Sequence, residues 1–143
     1  MTNREVKALS DDEIAGLLAG EGMQMALPAE LNGYPGPKHV LELADSLDLT
    51  EAQRAAVVQS RERMLSTAQA LGAEIVSRER ALDSLFANKL IDEATLIERT
   101  ERIGVARGML RAAHLKAHLE MVEVLRPEQV ERYGQLRGYG GHH

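Results

Sequence analysis

The sequence predicts an all-α protein: a long antiparallel helical hairpin with short flanking helices, a hooked arrangement of four to five helices. Three observations carry this. Aromatic residues are only 3% of the 143, with one Phe and no Trp, so the core must be aliphatic. Such a core suits closely packed helices better than stacked sheets, which draw on aromatic and β-branched residues. Two long stretches, 51–87 and 92–125, contain no proline; apolar residues recur at steps of three and four in the first and every seven residues in the second. The connection between them is short enough to make them antiparallel neighbours.

Composition sets the frame for the elements. Hydrophobic residues are 44% and charged residues 27%, a globular balance. The length fits a single helical domain over residues 10–137, with a flexible tail at 1–9 and a flexible Gly/His tail at 138–143. The net charge of −5, with Arg and Glu interleaved, argues against nucleic acid, which requires a clustered basic surface. There are no cysteines, so disulfides and thiolate metal sites are excluded. No apolar run approaches the ~18 residues of a membrane span. The start, Met1-Thr2-Asn3-Arg4-Glu5, lacks the apolar stretch of an export signal.

Ser10-Asp11-Asp12-Glu13 reads as a capping box. The short helix it opens is weakened by Gly16, Gly20 and Gly22, so it must pack closely on a neighbour or be partly ordered. Asn32-Gly33-Tyr34-Pro35-Gly36-Pro37 forces a turn. Pro37 suits the first turn of the next short helix, whose apolar face is Val40, Leu43, Ala44 and Leu47. Thr50 then caps the longest helix, with Gln53 at the capping-box position. That helix runs to Ala87, ~55 Å at 1.5 Å per residue. Its seam is Val57, Met64, Ala68, Leu71, Ile75, Leu82 and Leu85, with Arg61 and Arg78 as polar exceptions and Gly72 as its one glycine.

After Asn88-Lys89-Leu90-Ile91, Asp92 caps a helix that runs to about Leu125. Leu96, Ile103, Leu110, Ala117 and Val124 repeat along it every seven residues, and Gly104 and Gly108 smooth one face. Arg126-Pro127-Glu128-Gln129 opens a final short helix ending near Tyr133.

Two stretches repeat one design: Leu49-Thr50-Glu51-Ala52-Gln53 and Leu125-Arg126-Pro127-Glu128-Gln129. Placed at the start of a long helix and at the close of the hairpin, they resemble the paired LTxxQ motifs of the Spy/CpxP-like family. That family includes periplasmic chaperones, envelope-stress repressors and heavy-metal sensors related to CnrX and ZraP. The likeness spans roughly residues 34–138. It departs at Arg126, where the motif usually has Thr, and in the acidic balance, unlike the basic cradle of a Spy-type chaperone. The resemblance implies a periplasmic helical hairpin, often dimeric, with an export signal removed ahead of Met1.

His114 and His118 lie four apart, so both imidazoles project from one helix face. That spacing suits two ligands of one Zn²⁺, Cu²⁺, Ni²⁺ or Co²⁺ ion. On a helical wheel they fall ~40° and ~80° from the centre of the apolar stripe. Met121 follows on the same face as a candidate thioether ligand. The plainer reading is two boundary histidines covering the hairpin. The resemblance favours the metal, because the family's sensors carry an HxxxH or HxxxM pair completed by ligands from the N-terminal region. His39 and Glu42, three apart on the second short helix, are the candidates for that completion. Plainly read, they are an exposed first-turn residue and a solvated charge.

Met23-Gln24-Met25 offers soft sulfur for Cu(I), but gap-filling core methionines are the preferred reading. His142-His143 sit on a tail with no preset geometry. No nucleophile motif, phosphate loop or dinucleotide fingerprint occurs, so no enzyme is expected.

The leading expectation is therefore a periplasmic metal-binding, metal-sensing protein. Metal would draw the short helix to the hairpin, and the shifted population would be read by a membrane-anchored partner. The alternatives are a metal-independent chaperone or adaptor for unfolded clients, and a plain helical dimerisation scaffold. A homodimer is expected, since a two-helix hairpin leaves apolar seam area for a second copy.

Overall fold

A computed structural model describes residues 4–139. Among them are six helices: α1 (Asp11–Ala19), α2 (Leu27–Glu30), α3 (Pro37–Glu42), α4 (Glu51–Ala87), α5 (Glu93–Val124) and α6 (Pro127–Leu136). The all-α class is as the sequence predicts, and α4 and α5 are the two long antiparallel helices of the hairpin. No described helix is long and apolar enough to cross a membrane. The buried positions of α5 are Ile103, Ala106, Leu110, His114, Ala117 and Met121. They recur at three or four residues, the spacing that keeps one stripe against a neighbour.

The chain divides into two compact units, one comprising residues up to Met23 with Leu65–Ala112, the other Gln24–Met64 with residues from Ala113 on. In the first unit, Ser10 accepts from the Glu13 amide while Glu13 accepts from the Ser10 amide, the reciprocal box expected there. α1 then lies against α4. A Cβ built on Gly72 would fall 1.9 Å from the carbonyl oxygen of Leu17, so only glycine permits this approach. Gly20 ends α1 in the left-handed region at φ +76°, and Gln69 donates to the Ala19 carbonyl beside it. The glycine-rich first helix is thus closely packed. Of the expected 1–9 tail, Met1, Thr2 and Asn3 lie outside the described residues. Val6 and Leu9 are buried, and Glu5 and Lys7 pair with Arg80 and Asp83 of α4.

In the second unit, Val40, Leu47, Val57, Met121, Leu125 and Tyr133 form the hydrophobic core. The two repeated motifs meet above it. Gln53 Oε1 accepts from the Thr50 amide, and Gln129 Oε1 accepts from the Arg126 amide. The two side-chain amides then bond each other in both directions, at 2.7 and 3.1 Å. Gln53 donates its remaining hydrogen to Val124 O, and Gln129 donates to Leu47 O. Each amide has two donors and two acceptor sites, and all are used. At Thr50 the box is reciprocal. Arg126 has no side-chain acceptor, so the Gln129 amide bonds the Arg126 carbonyl oxygen instead.

Several boundaries differ from the sequence reading. α2 was not anticipated: it is a four-residue turn that periodicity cannot detect. α6 runs three residues beyond Tyr133, to Leu136. Of the expected α4 seam, Val57, Ala68 and Ile75 are buried, whereas Met64, Leu71, Leu82 and Leu85 are half-buried. Met23 is exposed at φ +48° rather than packed in the core, and Met25 is half-buried. Of the 138–143 tail, Gly138 takes φ +81° and Tyr139 packs against the core of the second unit; the later residues, His142 and His143 among them, lie outside the described ones.

A candidate metal centre around His114 and His118

The second unit holds a buried polar cluster built by α2, the turn after it, α5 and α6. Its centre is Glu30, the last residue of α2, buried without a counterpart on its own element. His118 of α5 donates from Nε2 to Glu30 Oε2 at 3.2 Å. The Tyr133 hydroxyl of α6 donates to Glu30 Oε1. Arg137 Nε stands 3.6 Å from the same oxygen. The Gly36 amide donates to the Tyr133 hydroxyl at 3.3 Å. The backbone passes close here: a Cβ on Gly36 would lie 2.8 Å from His118 Nε2.

The second ring nitrogen of His118 is also committed. Nδ1 lies 3.0 Å from the carbonyl oxygen of His114, one turn earlier. Carbonyl and carboxylate oxygens only accept, so each nitrogen of His118 faces an acceptor. Burial alone would raise the Glu30 carboxyl. The hydrogen bonds from His118 and Tyr133, with the charges of His118 and Arg137, hold it below the usual carboxylate range. Burial and the bond to Glu30 push the Tyr133 phenol well above its ordinary value.

His114 has the opposite character. It is 4% exposed. Its Nε2 is the one buried side-chain polar atom without a hydrogen-bond partner among the described residues. Burial, followed by the charge of His118, pushes its imidazole below the ordinary value. A neutral, buried imidazole with an idle nitrogen has a lone pair or a proton to offer and nothing beside it to take it.

The sequence-derived candidates are therefore distributed rather than gathered. His114 and His118 share the face that their spacing implies. Met121 follows them, fully buried as a member of the hydrophobic core. His39 and Glu42 approach each other at 3.5 Å on α3, with half or more of the Glu42 side chain in solvent. Among the described residues, no group of three or more His, Cys, Asp or Glu side chains is disposed to hold a metal ion. The sequence reading did not find Glu30, Tyr133 or Arg137. Tyr133 and Arg137 lie one turn apart on the last helix, and nothing in their spacing points to a carboxylate about a hundred residues earlier.

A family model for heavy-metal resistance matches residues 15–132. The chain belongs to this heavy-metal resistance family. The match covers both long helices, Glu30 and both histidines of α5, and stops one residue before Tyr133. The family is described by resistance to heavy metals, not by a reaction. No curated protein and no solved structure matches the chain.

Proposed function

We infer that this family member binds a divalent transition metal ion through His114 and His118 and uses that binding to sense heavy metal. One observation carries the reading: the buried Nε2 of His114, unpartnered and one turn from a second imidazole. Leaving a buried polar atom unsatisfied costs ~1–3 kcal/mol, and a metal bond is a use that offsets such a cost. Imidazole nitrogen suits Zn²⁺, Cu²⁺, Ni²⁺ and Co²⁺. Met121 on the next turn would add sulfur if the core opened, and His39 with Glu42 would add nitrogen and oxygen if α3 moved. The requirement for movement is what turns binding into a signal, because occupancy then shifts the conformational population. The finer assignment is to the Spy/CpxP-like sensors: a periplasmic homodimer read by a membrane-anchored partner. The paired Gln53 and Gln129 support it.

Titration calorimetry with the four metals tests the reading. The full chain should bind at least one of them more tightly than its His114→Ala, His118→Ala counterpart. Equal binding by the two proteins removes the metal function.

One feature favours a second reading. Ile97, Val105 and Met109 on α5 are large, apolar and exposed, Val105 by 63%. Such side chains can hold unfolded clients in a chaperone or adaptor. Suppression of aggregation that is indifferent to a chelator would favour that reading over the metal one.

A further inference from the structure

The two histidines of α5 differ in a way their spacing does not reveal: the structure leaves a nitrogen of His114 idle and gives both nitrogens of His118 a partner. The partner at Nε2 is anchored independently of His118. Glu30 Oε1 receives the Tyr133 hydroxyl and faces Arg137, while Tyr133 is itself fixed by the Gly36 amide. The Glu30 side chain is 9% exposed and that of His118 is 13% exposed, so the contact is poorly screened by water. Charge-assisted hydrogen bonds in such surroundings are among the strongest in a protein.

We propose that Glu30 is an internal competitor for the metal: a carboxylate held by Tyr133 and Arg137 that occupies His118 Nε2 and sets the threshold at which His118 becomes a ligand. This rests on the metal-binding reading and adds to it a residue, Glu30, and a regulatory role. His118 joins a metal only when the Glu30 contact is given up. The same event breaks the link between α2 and α5 while Tyr133 still holds Glu30 to α6, so the threshold and the structural response share one bond. A ligand role for Glu30 would have the opposite consequence, since removing a ligand weakens binding.

Zn²⁺ is titrated calorimetrically into the full chain and into its Glu30→Gln, Tyr133→Phe and His118→Ala variants. All carry His142→Ala and His143→Ala, so that the terminal histidines add nothing, and circular dichroism checks each fold. Glu30→Gln keeps the shape and removes the charge; the expected result is Zn²⁺ affinity about tenfold tighter or more. Tyr133→Phe loosens Glu30 and should tighten binding by a smaller factor. His118→Ala should weaken it. A gain in affinity is not the effect of a damaged fold, and if Glu30→Gln fails to fold then Tyr133→Phe decides alone. Weaker or unchanged binding in the folded Glu30 and Tyr133 variants overturns the competitor and leaves metal binding standing. Absence of Zn²⁺ binding in every protein, the parent included, overturns the competitor for Zn²⁺, and the metal reading falls with it if Cu²⁺, Ni²⁺ and Co²⁺ fail to bind as well.

Discussion

His114 carries a thermodynamic cost that leucine at the same position would not. Its Nε2 is buried without a partner, and burial holds the ring neutral. The folded-state value lies below the unfolded one, so the unfolded chain binds the proton first as pH falls. This contribution is complete above the ordinary value of 6.5 and is lost progressively below it. His114→Leu should therefore stabilise the protein by about 1 kcal/mol and flatten the acid side of its stability profile. Urea unfolding at about pH 7.5 and about pH 5.5 measures both. Destabilisation at the higher pH would show that the imidazole is doing something leucine cannot. The spacing of His114 and His118 was visible in the sequence, and the helical wheel placed both near the edge of the core. That Glu30 binds His118 was not visible. The two are 88 residues apart, and an isolated carboxylate beside a proline-rich turn has no periodicity to mark it. Met121 shows the converse: its spacing fits a ligand, but the same face that gathers ligands also builds the core.

At the level of elements, local signals were readable and long-range ones were not. Ser10, Thr50 and Asp92 each accept a hydrogen bond from the amide three residues on, as caps should. The repeated Gln was visible as a second capping box, but the pairing of Gln53 with Gln129 across 76 residues was not. Gln129→Leu leaves Leu47 O, the Arg126 amide and half of Gln53 without partners. It should cost about 3 kcal/mol. Because Gln53 loses the same bonds, the Gln53→Leu, Gln129→Leu double variant should cost clearly less than the sum of the singles. Additive losses in denaturant melts would deny that the amides act as one unit. Gly72 reads in sequence only as a weak spot in a long helix. In the structure it is where α1 rests, with backbone rather than a movable side-chain tip in the way. Gly72→Ala should cost about 2–3 kcal/mol and strip hydrogen-exchange protection from α1. An unperturbed α1 would refute that docking.

For the whole molecule, composition was the most reliable guide. Few aromatics, no cysteine and long proline-free stretches point to an aliphatic helical protein, and the chain is one. Composition cannot convey which polar groups are satisfied in the interior, and the metal reading depends on that. Family membership points to heavy metal, and in the proposed function His114, with its idle Nε2, and His118 would hold it. X-ray absorption at the zinc edge joins the two most directly. It would be recorded on the full chain with His142→Ala and His143→Ala, loaded with one equivalent of Zn²⁺. The expected spectrum shows nitrogen ligands with the outer-shell scattering of imidazole rings, lost on replacing His114 and His118 by alanine. A shell of oxygen alone, or an imidazole signal that survives both replacements, would contradict it.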